Sequence, residues 1–209
     1  MSHFDDEAQL EQLRRWWGEN WMALAGGLVL GLAGIFGWEA WQGHRTTQSE
    51  QASQMYEDLR KLPADKASQA TDLGRKLADE FSGTPYAAQA ALYLANVAVQ
   101  AGDWDAARTQ LDWVVAHADD PGLKKIARLR LARVLWQQGK LDDALAQLEI
   151  KDDDAFASLY QELRGDLQVA KGDRAAARSA YEKALQLGPA AANREGLQRK
   201  LDDLAGAAS

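Results

Sequence analysis

Residues 21–38 read WMALAGGLVLGLAGIFGW, 18 consecutive positions without a charge, and Asn20 extends the uncharged run by one. An α-helix rises about 1.5 Å per residue, so this run covers roughly 27 Å, close to the hydrocarbon thickness of a bilayer. Aromatic residues bracket it, with Trp16, Trp17 and Trp21 before and Trp38 and Trp41 after. Indole rings are amphipathic and gather at the two membrane interfaces, so five of the chain's 8 tryptophans sit where interfacial anchors belong. A buried core helix is the competing reading, but such a helix should carry a polar face. A cleaved signal peptide is another. It would need a basic start and a small-residue cleavage site, whereas Asp5, Asp6, Glu7 and Glu11 precede this run and Trp38-Glu39-Ala40-Trp41 follows. The segment therefore reads as a retained transmembrane anchor.

Arg14 and Arg15 lie just before the span and Arg45 just behind it. Positive residues stay cytoplasmic, which favours a cytoplasmic N-terminus by a narrow charge difference. Within the span, Ala23, Gly27, Gly31 and Gly34 line one small-residue face. Such a face lets two helix backbones approach closely in lipid, although glycine is also simply common in spanning helices. Both readings stay open.

The rest of the chain reads as helix. Met55, Leu59 and Leu62 are spaced four and three, which predicts a helix leaving the membrane and ending near Pro63. Ala70, Leu73, Leu77 and Phe81 mark a second, ending at Ser82-Gly83-Thr84-Pro85. Beyond Pro85 the chain repeats itself. Gly102 precedes Ala107, Gly139 precedes Ala144 and Gly172 precedes Ala177, each by five, and the glycines are 37 and then 33 residues apart. Four residues after each alanine stands a large apolar residue, Leu111, Leu148 or Tyr181; twelve before it stands a small one, Ala95, Ala132 or Gly165. These features in phase match the tetratricopeptide repeat, a helical hairpin with a period of about 34.

The glycine ends the first helix in a left-handed conformation, and the small residues let the hairpin close. Asp103 and Asp173 stand where they cap the second helices. The last unit fits best, with Pro189 as its stop. The middle unit departs, with Lys140 at the capping place, Lys151 where alanine is expected, and a second helix predicted to stop near Ile150. From residue 190 to Leu204, Leu197, Leu201 and Leu204 share one face while Arg194, Glu195, Lys200 and Asp202 fill the others, as in the polar cap a solenoid needs. The expected fold is all-α: an N-terminal transmembrane helix followed by a tetratricopeptide-type α-solenoid. The divisions are a cytoplasmic segment over 1–19, the span over 20–41, a helical juxtamembrane segment over 42–63 and the repeat domain with its capping helix over 64–209.

Composition narrows the functions. With 31 acids against 24 bases the net charge is -7, so nucleic acid is not an expected partner. The chain has no cysteine, which removes disulfides, thiol catalysis and cysteine-ligated zinc. His3, His44 and His117 have no metal-ligand spacing, and no nucleotide-binding or hydrolase motif occurs. No cofactor, metal or catalytic residue is expected. Asp152, Asp153 and Asp154 read as a solvated loop or helix start.

One charge cluster stands out: Lys124, Lys125, Arg128, Arg130 and Arg133, with no acid among them. Counting from the repeat alanines, the inward-facing places include Asn96, Arg133, Trp136, Glu162 and Asp166, the candidate groove contacts. Trp136 with Arg133 suits an interface anchor. The preferred alternative makes Trp136 core and the basic residues a solvated face. The groove lacks the lysine and asparagine set that clamps a C-terminal carboxylate in repeats reading cytosolic chaperone tails.

The layout resembles one bacterial family. Trp16-Trp17-Gly18-Glu19-Asn20 precedes a glycine-rich span, Gly37-Trp38-Glu39 closes it, and degenerate repeats run to the end. Across essentially the whole chain this is similar to the ancillary SecYEG translocon subunit family of the Gram-negative inner membrane. The resemblance implies a single-pass inner-membrane protein with its repeat domain in the periplasm. It further implies association with the SecYEG channel and a membrane-anchored parvulin-type foldase, hand-over of exported clients to periplasmic chaperones, and a link to an envelope-stress response regulator. It supplies no catalytic residues. The competing function is a membrane-anchored envelope-assembly or stress-regulatory adaptor that binds a signalling or cell-wall protein. A third is an enzyme whose site the sequence does not flag.

Overall fold

The computed structural model describes residues 3–151, 154–188 and 191–206. Among these residues the chain is helical, with no strand. Asp152, Asp153 and Pro189, the last read above as a helix stop, lie outside the described residues. Two compact units, Met1–Glu50 and Gln51–Ser209, divide the chain.

The first unit is helix only. Helix α1 runs from His3 to Lys61, and its N-terminal part carries the uncharged run. None of the most apolar window is buried. Leu28, Leu30 and Phe36 are 65%, 75% and 64% exposed. A core helix would be covered, and a contiguous apolar band of this size in the open marks a surface for lipid or another protein. Polar atoms at the ends are satisfied locally. The Asn20 amide donates to the Trp16 carbonyl at 2.8 Å. The rings of Trp38 and Trp41 are 5.0 Å apart, and the Arg45 guanidinium lies 4.9 Å from the Trp41 ring centre. An arginine stacked on an indole is the pairing expected where aromatics meet headgroups.

The second unit stacks helical hairpins. A short 3-10 turn, Ala64–Lys66, leads into α2 (Ala67–Glu80), followed by α3 (Pro85–Gln100) and α4 (Trp104–His117). Then come α5 (Pro121–Gln137), α6 (Leu141–Ala146), α7 (Ala157–Lys171), α8 (Arg174–Gln186) and α9 (Ala191–Gly206). Ala52 and Leu59, near the C-terminal end of α1, are fully buried with Leu77, Phe81, Ala90 and Leu94. The segment read as juxtamembrane thus supplies core to the first packed layer.

The three hairpin turns share one backbone device. Gly102, Gly139 and Gly172 have φ of 74°, 75° and 83°, the left-handed region that other residues resist. At each, two bonds close the preceding helix: the Asp103, Lys140 and Asp173 amides donate to the Ala98, Leu135 and Gln168 carbonyls at 2.9 Å. The glycine amides donate to Val99, Trp136 and Val169. This is the Schellman arrangement, which satisfies carbonyls a helix end leaves open. Asp103 and Asp173 accept from the Ala106 and Ala176 amides at 2.9 Å, as their positions predict.

The packing positions behave as the phase predicts. Ala107, Ala144 and Ala177 are fully buried, and Leu111, Leu148 and Tyr181 fill the space behind them. The third unit combines its largest filler with its smallest partner: a Cβ built on Gly165 would lie 2.2 Å from Tyr181 Cε1.

Helix α6 is shorter than expected, ending at Ala146 rather than near Ile150. Lys140 supplies no side-chain cap at its start. At its other end the Leu148 carbonyl is taken by Arg164 Nη2 at 2.7 Å, from α7, instead of by a further helical turn. Helix α9 closes the stack, with Leu197, Leu201 and Leu204 packed against Ala177, Tyr181 and Ala184.

Candidate protein-binding groove

Helices α3, α5 and α7 are the first helices of the three hairpins, and their inward positions define the candidate site. Asn96 on α3 and Arg133 and Trp136 on α5 line one cavity of about 410 Å³. Its floor is apolar, with Val99, Trp104, Leu111 and Val134. Trp136 both packs against the main core and walls this cavity. A second hollow of about 380 Å³ adjoins it, sharing Asn96 and Arg130 and adding Tyr56, Leu92 and Tyr93. The two hollows share Asn96 and Arg130 and combine apolar and aromatic lining with the Arg130 and Arg133 side chains, and together they are the candidate groove.

The basic cluster on α5 divides. Lys125 is structural: its ammonium pairs with the Asp154 carboxylate, and its carbonyl accepts from the Tyr160 hydroxyl at 2.7 Å. Asp154 also accepts from the Phe156 amide at 2.9 Å. The Lys125 hydrogen bond, then that amide, hold the Asp154 carboxyl below its usual range. Asp154 thus stands at the start of α7, one of the two places the sequence allows, and is tied to α5 as well. Burial raises the Tyr160 phenol to about 12. Arg130 and Arg133 differ. Both are exposed, and among the described residues neither side chain makes a salt bridge or hydrogen bond.

Glu162 and Asp166, the other two candidate contacts, do not line this cavity. They face the capping helix, where Lys200 Nζ donates to Glu162 at 2.8 Å and to Asp166 at 2.7 and 3.0 Å. Tyr181 donates its hydroxyl to Asp166 at 2.7 Å. Burial, then the bond to Asp166, raises the Tyr181 phenol. Burial alone would lower the Lys200 ammonium, but its bonds to Asp166 and Glu162 outweigh this and raise it. The network is built to hold a cation already present in the chain. The spacing of Leu197, Leu201 and Leu204 puts Lys200 among residues filling outer faces. The signal that identifies it is the period, since Lys200 lies 34 residues after Asp166, one repeat on, so it inherits the same inward position.

A raised lysine pKa stabilises the fold below the unfolded value of 10.5, and that contribution fades as pH rises through the folded pKa. Lys200→Met is therefore expected to cost about 1–2 kcal/mol at neutral pH, discounted for partial exposure. In thermal melts across pH the gap between variant and wild type should close above 10.5. A gap that persists unchanged there would show that the loss is packing rather than charge. For Asp154 the sign is opposite: its contribution is present above 3.8 and lost as pH falls below.

Comparison with known proteins follows the same outline. A tetratricopeptide repeat-like domain family model matches residues 14–206. The Haemophilus influenzae protein named "Ancillary SecYEG translocon subunit" is 35% identical over 88% of this chain and 90% of its own. The Escherichia coli protein of the same name is 32% identical over 96% of this chain and 97% of its own. A Neisseria gonorrhoeae protein, again so named, is 30% identical over 97% and 99%. Among solved structures, the crystal structure of BtubC (BKLC) from P. vanneervenii superposes with a TM-score of 0.55 at 17% identity, covering 78% of this chain and 84% of that one. That likeness speaks to the fold alone.

Proposed function

This chain belongs to the ancillary SecYEG translocon subunit family, and from that premise we propose that it is a non-enzymatic scaffold held at the SecYEG channel of the bacterial inner membrane. The observation that carries this reading is full-length kinship with proteins bearing that name, anchor and repeats together. The span crosses the bilayer once, with Trp16, Trp17 and Trp21 at one interface and Trp38 and Trp41 at the other. It docks on partner helices through Ala23, Gly27, Gly31 and Gly34. In support, a Cβ added at Gly27, Gly31 or Gly34 would meet nothing within 4 Å. Among the described residues the space beside these glycines is open, unlike that beside Gly165.

The N-terminus is cytoplasmic and the repeat domain periplasmic. Arg14 and Arg15 support this orientation over Arg45. The groove around Asn96, Arg133 and Trp136 contacts a membrane-anchored parvulin-type foldase or an emerging client, and so assists transfer of exported proteins to periplasmic chaperones. An envelope-stress response regulator is a further partner in this scheme.

Orientation is tested by fusing alkaline phosphatase, which folds only in an oxidising compartment, to the C-terminus of the full chain. The expected result is high activity in intact cells, with a cytoplasm-dependent reporter at the same place inactive. The reverse pattern overturns both the periplasmic placement and the hand-over role.

A further inference from the structure

The groove carries more information than its shape. Resting on the reading of this groove as the partner surface, we infer that it selects unfolded segments in which an acidic side chain lies between two large apolar ones. The two hollows supply two apolar subsites: Trp104 and Trp136 wall one, Tyr56 and Tyr93 the other. At about 410 and 380 Å³ each has room for a large side chain. Arg130 and Asn96 border both.

Charge complementarity defines what lies between the subsites. Arg130 and Arg133 are three apart on α5 and so share a face. The chain carries 31 acids against 24 bases, yet these two arginines have no carboxylate partner among the described residues. Lys125 on the same helix does have one, in Asp154. An unpaired guanidinium beside an apolar wall fits a carboxylate through its planar fork and repels a lysine at the same place. Asn96 can both donate to and accept from the backbone of an extended segment.

The test uses the full chain in mild detergent and three dye-labelled synthetic peptides, followed by fluorescence anisotropy. All three carry leucine and phenylalanine on either side of one variable residue: aspartate, asparagine or lysine. The aspartate peptide is expected to bind about tenfold tighter than the asparagine peptide, with the lysine peptide weaker still. Arg130→Glu with Arg133→Glu changes two exposed positions and should leave the thermal melt unchanged. It should weaken the aspartate peptide by about tenfold or more and reverse the preference towards lysine. Asn96→Asp, a second exposed change, should weaken the aspartate peptide in the same direction. Equal binding of all three peptides, binding of none, or an aspartate preference that survives the charge reversal overturns the inference. The scaffold reading is scored separately, because the reversed variant should still co-purify with SecYEG through its span. Loss of SecYEG from the wild-type chain would sink that reading whatever the peptides do.

Discussion

Gly165→Ala is expected to destabilise the repeat domain by about 2–3 kcal/mol, at the upper end of the overpacking range. The new methyl carbon would lie 2.2 Å from Tyr181 Cε1 and 2.4 Å from Cδ1, well inside van der Waals contact. Tyr181 has little room to retreat. Its ring is buried, its hydroxyl is bonded to Asp166, and Leu197, Leu201 and Leu204 of α9 press on its cluster. The penalty should lower the melting temperature of the full chain by roughly 5–10 °C, followed by circular dichroism. The other two units indicate the rescue. They pair alanine with leucine at the same places, Ala95 with Leu111 and Ala132 with Leu148, all buried. Tyr181→Leu added to Gly165→Ala should therefore recover most of the loss, short of the Tyr181–Asp166 hydrogen bond. An unchanged melt for the single variant, or no recovery in the double, would show that the close approach does not limit stability.

That pairing also shows what the sequence made legible. Glycine, small and large residues recurring in phase located three hairpins, because each position answers a local requirement: a left-handed turn, a close helix crossing, a gap to fill. The exposed apolar run was legible for a similar reason, being contiguous. What escaped was set by residues far apart in the chain. Helix α6 stops early, at Ala146, and the Leu148 carbonyl just beyond it is taken by Arg164, 16 residues on. Lys125 is removed from the basic cluster by Asp154, 29 residues away, and Lys200 closes on Asp166 across a full repeat. For the groove, counting from the alanines brought Asn96, Arg133 and Trp136 to one cavity but set Glu162 and Asp166 beside them, where Lys200 occupies both. The second hollow was not foreseen, since Tyr56 lies outside the recognisable repeats and joins them only through the packed first layer.

The second large effect concerns the span. Gly27→Leu with Gly31→Leu adds two bulky side chains to one face of α1, at positions where, among the described residues, an added Cβ meets nothing within 4 Å. Folding of the repeat domain should be unaffected, and membrane insertion should be preserved, since leucine favours the bilayer core. Close helix–helix approach depends on small residues, so contact with a partner helix should be lost. Recovery of the channel with the variant is expected to fall about tenfold or more relative to wild type, equivalent to about 1.4 kcal/mol or more. Leucine on the opposite face, at Ala25, should have little effect and controls for added hydrophobicity. If the variant recovers the channel as well as wild type does, the glycine face is not the docking element and contact must run through the repeat domain.

The central claim is that this chain works as a subunit held at the translocon. Its most direct test is native-detergent purification of the full-length wild-type chain from inner membranes, with the bound proteins quantified. SecYEG is expected as a major co-purifying species, retained by the groove variant and depleted by the span variant. Recovery of the chain without SecYEG, at expression levels matched to those of the channel, would contradict it.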